Sequence, residues 1–235
     1  MFLLALVAPA FGTIIFLADR DINPIATYSI VVQMGVYSFA VVLMCVIHGA
    51  GMISNEVLNK TIPFLITRPI PRIRIFFAKW LAASTLVTFT GWLSAFLLAI
   101  ILAGNNIADT QLSRDLLIIP IAALVYCAVF GALSALLTRP VLPAVIYVFG
   151  VESWVWVMPG DMQKLSLMSH VRTIAHHTPH RGSETGVAEL LGMLNPKVIT
   201  ETTAWNTLIL VLILGLVVGS IAFSRGEYVP KEETN

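Results

Sequence analysis

Charge is scarce in this 235-residue chain: 11% of residues are Asp, Glu, Lys or Arg, and 57% are hydrophobic. Soluble domains carry about 25% charged residues, so a water-soluble enzyme and a disordered chain are both excluded. The few charges nearly cancel, 14 Lys and Arg against 13 Asp and Glu, which leaves no cationic excess for neutralising nucleic-acid phosphates. Cysteine is limited to Cys45 and Cys127. Both fall in apolar runs, where a thiol behaves as a small hydrophobe, and the pair forms no metal or disulfide signature. None of the 15 glycines is followed by lysine, so the Gly-x-x-x-x-Gly-Lys-Ser/Thr phosphate loop is missing.

What remains is apolar length. The uncharged stretches are 1–18, 22–55, 80–108, 116–138 and 202–224, with 140–160 broken only by Glu152. A helix crosses the hydrocarbon with about 20 residues, and backbone polar groups in lipid must be satisfied within the segment. The stretches lack the alternation of a membrane barrel strand. The expectation is an all-α polytopic membrane protein in one domain, with six spans at about 1–18, 27–51, 80–104, 115–137, 140–158 and 205–224. A cleaved signal peptide would open with positive charge; Met1 to Leu4 carry none, so the first run is read as a span.

Loop cations set the orientation. Lys60, Arg68, Arg72, Arg74, Lys79, Arg139, Arg225 and Lys231 fall on one side, whereas Arg20 and Arg114 on the other lie among Asp19, Asp21, Asp109 and Asp115. Both termini are therefore expected in the cytoplasm and the long 159–204 loop outside. Trp80, Trp154, Trp156 and Trp205 fall near predicted span ends as interfacial anchors, and Trp92, mid-span, as packing.

Residues 55–79 mix charge, proline and large apolar side chains. Pro63 suits the first turn of a helix, Thr61 can cap it, and Arg68-Pro69 with Pro71 would stop it. Alternatively the helix starts near Asn55 and kinks at Pro63. Either way Ile62, Phe64, Leu65 and Ile66 are offered beside several cations, as a basic interfacial anchor or as a docking site for a cytoplasmic partner.

Glu56, Thr61, Leu65, Arg68-Pro69, Arg72 and Lys79 resemble the segment after the second span of type-2 ABC transporter permeases, with Lys60 standing where glycine is usual. Six spans, the exit Phe223-Ser224-Arg225-Gly226-Glu227-Tyr228, and the stretch from Glu152 through Pro159-Gly160 to Leu165-Ser166 and His170 are similar to the same family. The resemblance implies a permease subunit of the plasma membrane, an exporter driven by a separate ABC ATPase. ATP and magnesium would sit on that ATPase, this chain would bind no cofactor and would not itself be an enzyme, and a second permease chain, identical or closely related, would pair with it. It further implies a coupling helix in which Glu56, Thr61, Phe64, Leu65, Arg68, Pro69 and Arg72 contact the ATPase. Leu137-Thr138-Arg139-Pro140 would supply a smaller contact. Lipid is the remaining partner, and no nucleic acid is expected.

Glu152 is the one carboxylate well inside a predicted span, where a charge is costly. It either lines the pathway or a dimer interface, or is hydrogen-bonded or protonated within the bundle. His48, before Gly49-Ala50-Gly51, reads as packing at a close helix approach more than as a proton relay. In the outer loop, Asp161 can cap a helix carrying Met162, Leu165, Met168, Val171 and Ile174 as a stripe suited to lying against the span ends. A second short helix is expected over about 186–194. His176 and His180 share the i, i+4 spacing of two metal ligands, but Pro179 and the lack of further ligands favour a solvated loop. Two rivals stay in view: an ion-coupled carrier or channel, which wants several intramembrane ionisable groups or an internal repeat, and an intramembrane enzyme, which wants converging catalytic groups.

Overall fold

The computed structural model describes residues 6, 7, 9, 10, 12–14, 24–59, 71–104, 110–152, 164–176 and 199–226. All regular structure among them is helical. Helix α1 is a continuous succession of segments, α over Pro24–Val31, π over Val32–Val41, α over Val42–Cys45, π over Val46–Ala50 and α over Gly51–Leu58. Helix α2 is Arg72–Ala103 and α3 is Leu112–Leu136; α4 joins an α segment, Val141–Ile146, to a π segment, Tyr147–Glu152. Helix α5 is Leu167–Ala175, and α6 is Glu201–Arg225. Helices α1, α2, α3 and α6 are each long and apolar enough to cross a membrane. The first expected span lies largely outside the described residues, although residues 12–14 are helical.

Helix α3 is the hub: it packs against α1, α2 and α6, and Ile119, Ala123, Tyr126, Cys127 and Phe130 are completely buried along it. Small residues set the close approaches. A Cβ on Gly215 of α6 would lie 3.0 Å from the Ala128 carbonyl carbon, and one on Gly49 of α1 3.0 Å from the Phe130 Cβ. Lipid supplies no hydrophobic drive between helices, so such backbone proximity carries the packing. The other face of α6, with Leu210, Ile213, Leu214 and Val217, is exposed.

Pro120 sits inside α3. It has no N–H for the Leu116 carbonyl one turn back, and the Trp92 indole of α2 donates to that carbonyl at 2.7 Å. Trp92 is thus a hydrogen-bond donor to a defective helix as well as a packing residue. Trp80 differs from its expected anchoring role. Helix α2 begins at Arg72, eight residues before the expected 80, which carries Trp80 inside the bundle. There it is buried, meets the Phe77 ring edge-on and donates to the Leu124 carbonyl at 3.1 Å.

Helix α5 does not lie across the span ends. Its N-terminus meets Glu152, which bonds Tyr126 of α3, while its C-terminal carbonyl at Ile174 accepts from Arg114. Arg114 and Tyr126 are twelve residues apart on α3, about 18 Å at 1.5 Å per residue, so α5 runs along α3 from within the bundle back toward its end. The cap is Ser166, whose hydroxyl accepts from the Ser169 N–H at 3.1 Å; residues 161–163 and the expected helix over 186–194 lie outside the described residues.

Candidate functional site

Glu152 closes the π segment of α4. At 3.6 residues per turn, Tyr147, five residues earlier, would be well out of phase with it. A π turn, closed by i→i+5 bonding, is wider and stacks the two, so the Tyr147 hydroxyl donates to Oε1 at 2.9 Å. Tyr126 of α3 donates to the same oxygen at 2.8 Å. The Ser166 hydroxyl donates to Oε2, and the first N–H groups of α5 donate as well, Leu167 to Oε1 at 3.0 Å and Met168 to Oε2 at 3.3 Å. A carboxylate at a helix N-terminus also complements the helix dipole. At the opposite end of α5, Arg114 supplies the complementary cation, with its Nε 3.1 Å from the Ile174 carbonyl.

A cavity of about 240 Å³ opens beside Glu152. Its wall comes from the first π segment of α1 (Met34, Ser38) and the adjoining Val42, from the π segment of α4 (Val148, Glu152), and from α5 (Met168, Arg172). Arg172 donates to the Ser38 hydroxyl at 2.6 Å, and Ser38 in turn donates to the Gln33 carbonyl five residues back at 2.8 Å. The π-wound backbone of α1 and α4 thus lines a cavity rather than a close-packed helix contact.

A second carboxylate cluster forms at Asp115, which by its place in the sequence reads as a loop charge. Asp115 is completely buried and accepts from Tyr28 and Tyr37 of α1, each at 2.9 Å. The tyrosines are nine residues apart and would lie on opposite faces of an α-helix; the π segment brings them to one carboxylate. The usable signal was Asp115 at the mouth of an otherwise apolar run, together with two tyrosines in the run it faces.

At the other end of the bundle, Glu56 of α1 and Lys79 of α2 form an ion pair of 2.6 Å. Arg72, the first residue of α2, donates through Nη1 to the Ser224 and Gly226 carbonyls, at 3.3 and 3.2 Å, where α6 ends. Of the expected coupling residues, Glu56 and Arg72 are therefore placed, each beside an entry or exit of the 60–70 segment. Thr61, Phe64, Leu65, Arg68 and Pro69 lie outside the described residues.

The histidines are separate. His176 ends α5 in the left-handed conformation, φ 56°. Arginine is always a donor, so the Arg114 Nη2, 3.1 Å away, engages the His176 Nε2 lone pair, and Nδ1–H faces the Thr173 and Ile174 carbonyls at 3.1 Å. His180 lies outside the described residues, and among those residues no group of three His, Cys, Asp or Glu converges as a metal site. His48 lies in the second π segment of α1, its Nε2 buried without a hydrogen-bond partner among the described residues. Cys45 and Cys127 meet across α1 and α3 with their sulfurs 3.7 Å apart.

A family model described as ABC-2 family transporter protein matches residues 1–155, which contain α1 to α4 with Tyr126, Tyr147 and Glu152, while Ser166, Leu167 and Met168 of the cluster lie beyond the match. No curated protein matches the chain.

Proposed function

The chain belongs to the ABC-2 transporter family, and from that premise we propose that it is the permease subunit of an ABC exporter in the plasma membrane, paired with a second permease chain and driven by a separate ATPase that binds ATP and magnesium. The family is a membrane-embedded transport subunit that works with an ABC ATPase and is not itself catalytic. The observation that carries the reading is the family match, which runs through residues 55–79.

In this reading the chain has six spans, both termini cytoplasmic, and a coupling segment at 55–79. The α1–α2 geometry suits that role. The Glu56–Lys79 pair holds the end of α1 against the first turns of α2, on either side of the segment. Phe64 and Leu65 would fill a groove of the ATPase, and Arg68 would orient it by charge, a division common at interfaces. Arg72 would pass a displacement to the end of α6 through its two carbonyl contacts.

The test is co-purification of the ATPase with tagged permease. Leu65→Asp and Arg68→Glu are expected to lower the ATPase recovered at least tenfold while the permease reaches the membrane normally. Unaltered recovery with both variants sinks the coupling assignment. A second reading, an ion-coupled carrier, draws support from two separate carboxylate clusters, at Asp115 and at Glu152, within the helix bundle. Uptake into proteoliposomes that follows a pH gradient without ATPase or ATP would favour it.

A further inference from the structure

The exposed face of α6 changes character at its C-terminal end. Leu210, Leu214, Val217, Ile221 and Arg225 follow one another by three or four residues and so share one face of the helix; all five are exposed. Gly215, Gly219 and Phe223, on the other face, are buried. An apolar stripe therefore ends in a guanidinium, one turn beyond Ile221. The packing register sets what stands level with it. A Cβ on Gly215 would lie 3.0 Å from the Ala128 carbonyl carbon, and one on Gly219 3.2 Å from the Ala132 Cα. Each step of four residues on α6 thus matches a step of four on α3, the two helices run parallel, and the last turn of α6 is level with the end of α3 and the turn that follows. That turn holds Arg139, exposed together with Leu136 and Leu137.

Arg139 and Arg225 have no hydrogen-bond or ion-pair partner among the described residues. Arg72 adds a third guanidinium at the same end, held on the uncharged Ser224 and Gly226 carbonyls. Glu56, the one carboxylate at this end among the described residues, is taken by Lys79 at 2.6 Å; Glu227, next in the sequence, lies outside them. In a helix long and apolar enough to cross the hydrocarbon, the level where the apolar face stops is the headgroup layer. A guanidinium fork matches phosphate oxygens there. An acidic protein surface facing the cations from the water would leave Leu136, Leu137 and Ile221 without apolar cover, whereas a lipid covers the cations with its head and the apolar side chains with its tails.

The geometry points to a binding site for an anionic phospholipid at the ends of α3 and α6: Arg139 and Arg225 take the phosphate, and the chains lie on the exposed face of α6 along Ile221, Val217 and Leu214. The site goes beyond the ATPase-coupled reading and does not rest on it.

The experiment uses the purified full chain in dodecyl maltoside, with dioctanoyl phosphatidylglycerol and dioctanoyl phosphatidylcholine as probes, the same chains under an anionic and a zwitterionic head. The concentration dependence of the thermal unfolding midpoint gives an apparent Kd for each, because a ligand of the native state raises the midpoint. Phosphatidylglycerol is expected to bind at least about fivefold more tightly, the effect of one cation at an anionic lipid surface. Arg139→Gln and Arg225→Gln should each lower that preference, and the double variant should abolish it. Arg74→Gln is the companion. Arg74 is exposed at the start of α2, two residues from Arg72 and so on the side of α2 turned away from α6, and its removal should leave the preference intact. Equal binding of the two lipids, the result expected if Glu227 neutralises the cations, overturns the assignment. A loss in Arg74→Gln as large as in Arg225→Gln also overturns it, since that describes a diffuse lipid annulus, as does a raised midpoint with inorganic phosphate alone, which describes a site for a free anion. A double variant that keeps the lipid preference but no longer co-purifies the ATPase gives the two arginines to that protein instead.

Discussion

Tyr147 donates to Glu152 from five residues back along the same helix, at 2.9 Å, a pairing available only because the segment between them is wound as a π-helix. The carboxylate so placed ends the π segment of one helix and starts another, α5, by accepting its first N–H groups. A half-helix pointing its N-terminus at an anion within the membrane is an arrangement found at transporter substrate sites; in this protein the anion is the chain's own.

Removing that carboxylate strands five donors. Each buried donor left unsatisfied costs about 1–3 kcal/mol, partly relieved by water or rearrangement. Glu152→Ala is expected to destabilise the purified protein by about 3 kcal/mol or more, whereas Tyr147→Phe, which removes one donor, should cost about 1 kcal/mol. Thermal unfolding in detergent measures both. A Glu152→Ala loss no greater than that of Tyr147→Phe would show that the carboxylate does not organise α5.

Asp115 makes a parallel case. Tyr28→Phe and Tyr37→Phe each remove one hydroxyl donor from a completely buried carboxylate and are each expected to cost about 1–2 kcal/mol, as for hydrogen bonds to charged groups. The double variant should deviate from the sum, because both hydroxyls serve one group. Strict additivity in a double-mutant cycle would mean that the tyrosines do not share Asp115 in solution.

These two clusters also mark where sequence reasoning succeeds and where it stops. Apolar run length locates α1, α2, α3 and α6 because a span must be long and uncharged. It leaves out the first turns of α2, which begins at Arg72, because Arg72, Arg74 and Lys79 bound the apolar run although long cationic side chains extend readily from a helix end. Glu152 stands out as the lone charge in a run, but its five donors come from three separate stretches of chain and carry no local pattern. Asp115 is hidden twice, by its position at a run's edge and by the α-helical period, which sets Tyr28 and Tyr37 on opposite faces. The π segments that correct the period have no composition distinguishing them from the α segments around them. The bonds of Trp80 and Trp92 are illegible for a related reason: span position suggests an anchor for one and packing for the other, whereas an individual carbonyl that takes a donor is a tertiary fact.

The α1–α3 contact can be read chemically. The Cys45 and Cys127 sulfurs lie 3.7 Å apart, and the neighbouring Gly49 lets the backbones approach, its Cβ position being 3.4 Å from the Cys127 Cα. Treatment with a membrane-permeant oxidant is expected to remove both maleimide-reactive thiols, measured after denaturation. The product should be an intramolecular disulfide that dithiothreitol reverses. Cys45→Ser should retain one reactive thiol under the same treatment. Persistence of two thiols in the wild type after exhaustive oxidation would argue against this helix register.

Gly215 tests the seating of α6. With the Ala128 backbone 3.0 Å from where a Cβ would stand, Gly215→Leu forces α6 away from α3, at about 1–3 kcal/mol for overpacking. Leu214→Ala, one residue along and 52% exposed, should change unfolding by no more than about 0.5 kcal/mol. A Gly215→Leu variant as stable as wild type would exclude this face as the α3 contact.

Pro120 and Trp92 offer the sharpest test of an individual interaction, because one residue creates the need that the other meets. Proline removes the N–H that would bond the Leu116 carbonyl, and the Trp92 indole takes its place at 2.7 Å. In lipid an unpaired carbonyl has no water to turn to, so Trp92→Phe should cost about 1–3 kcal/mol. Pro120→Ala returns an N–H to the helix, after which the indole is no longer required. Trp92→Phe introduced into the Pro120→Ala background should then cost at least about 1 kcal/mol less than in the wild type, a coupling of the size measured between residues in direct contact. Equal costs in the two backgrounds would mean that the indole contributes only its packing. That outcome would leave the Leu116 carbonyl as a defect α3 tolerates unaided.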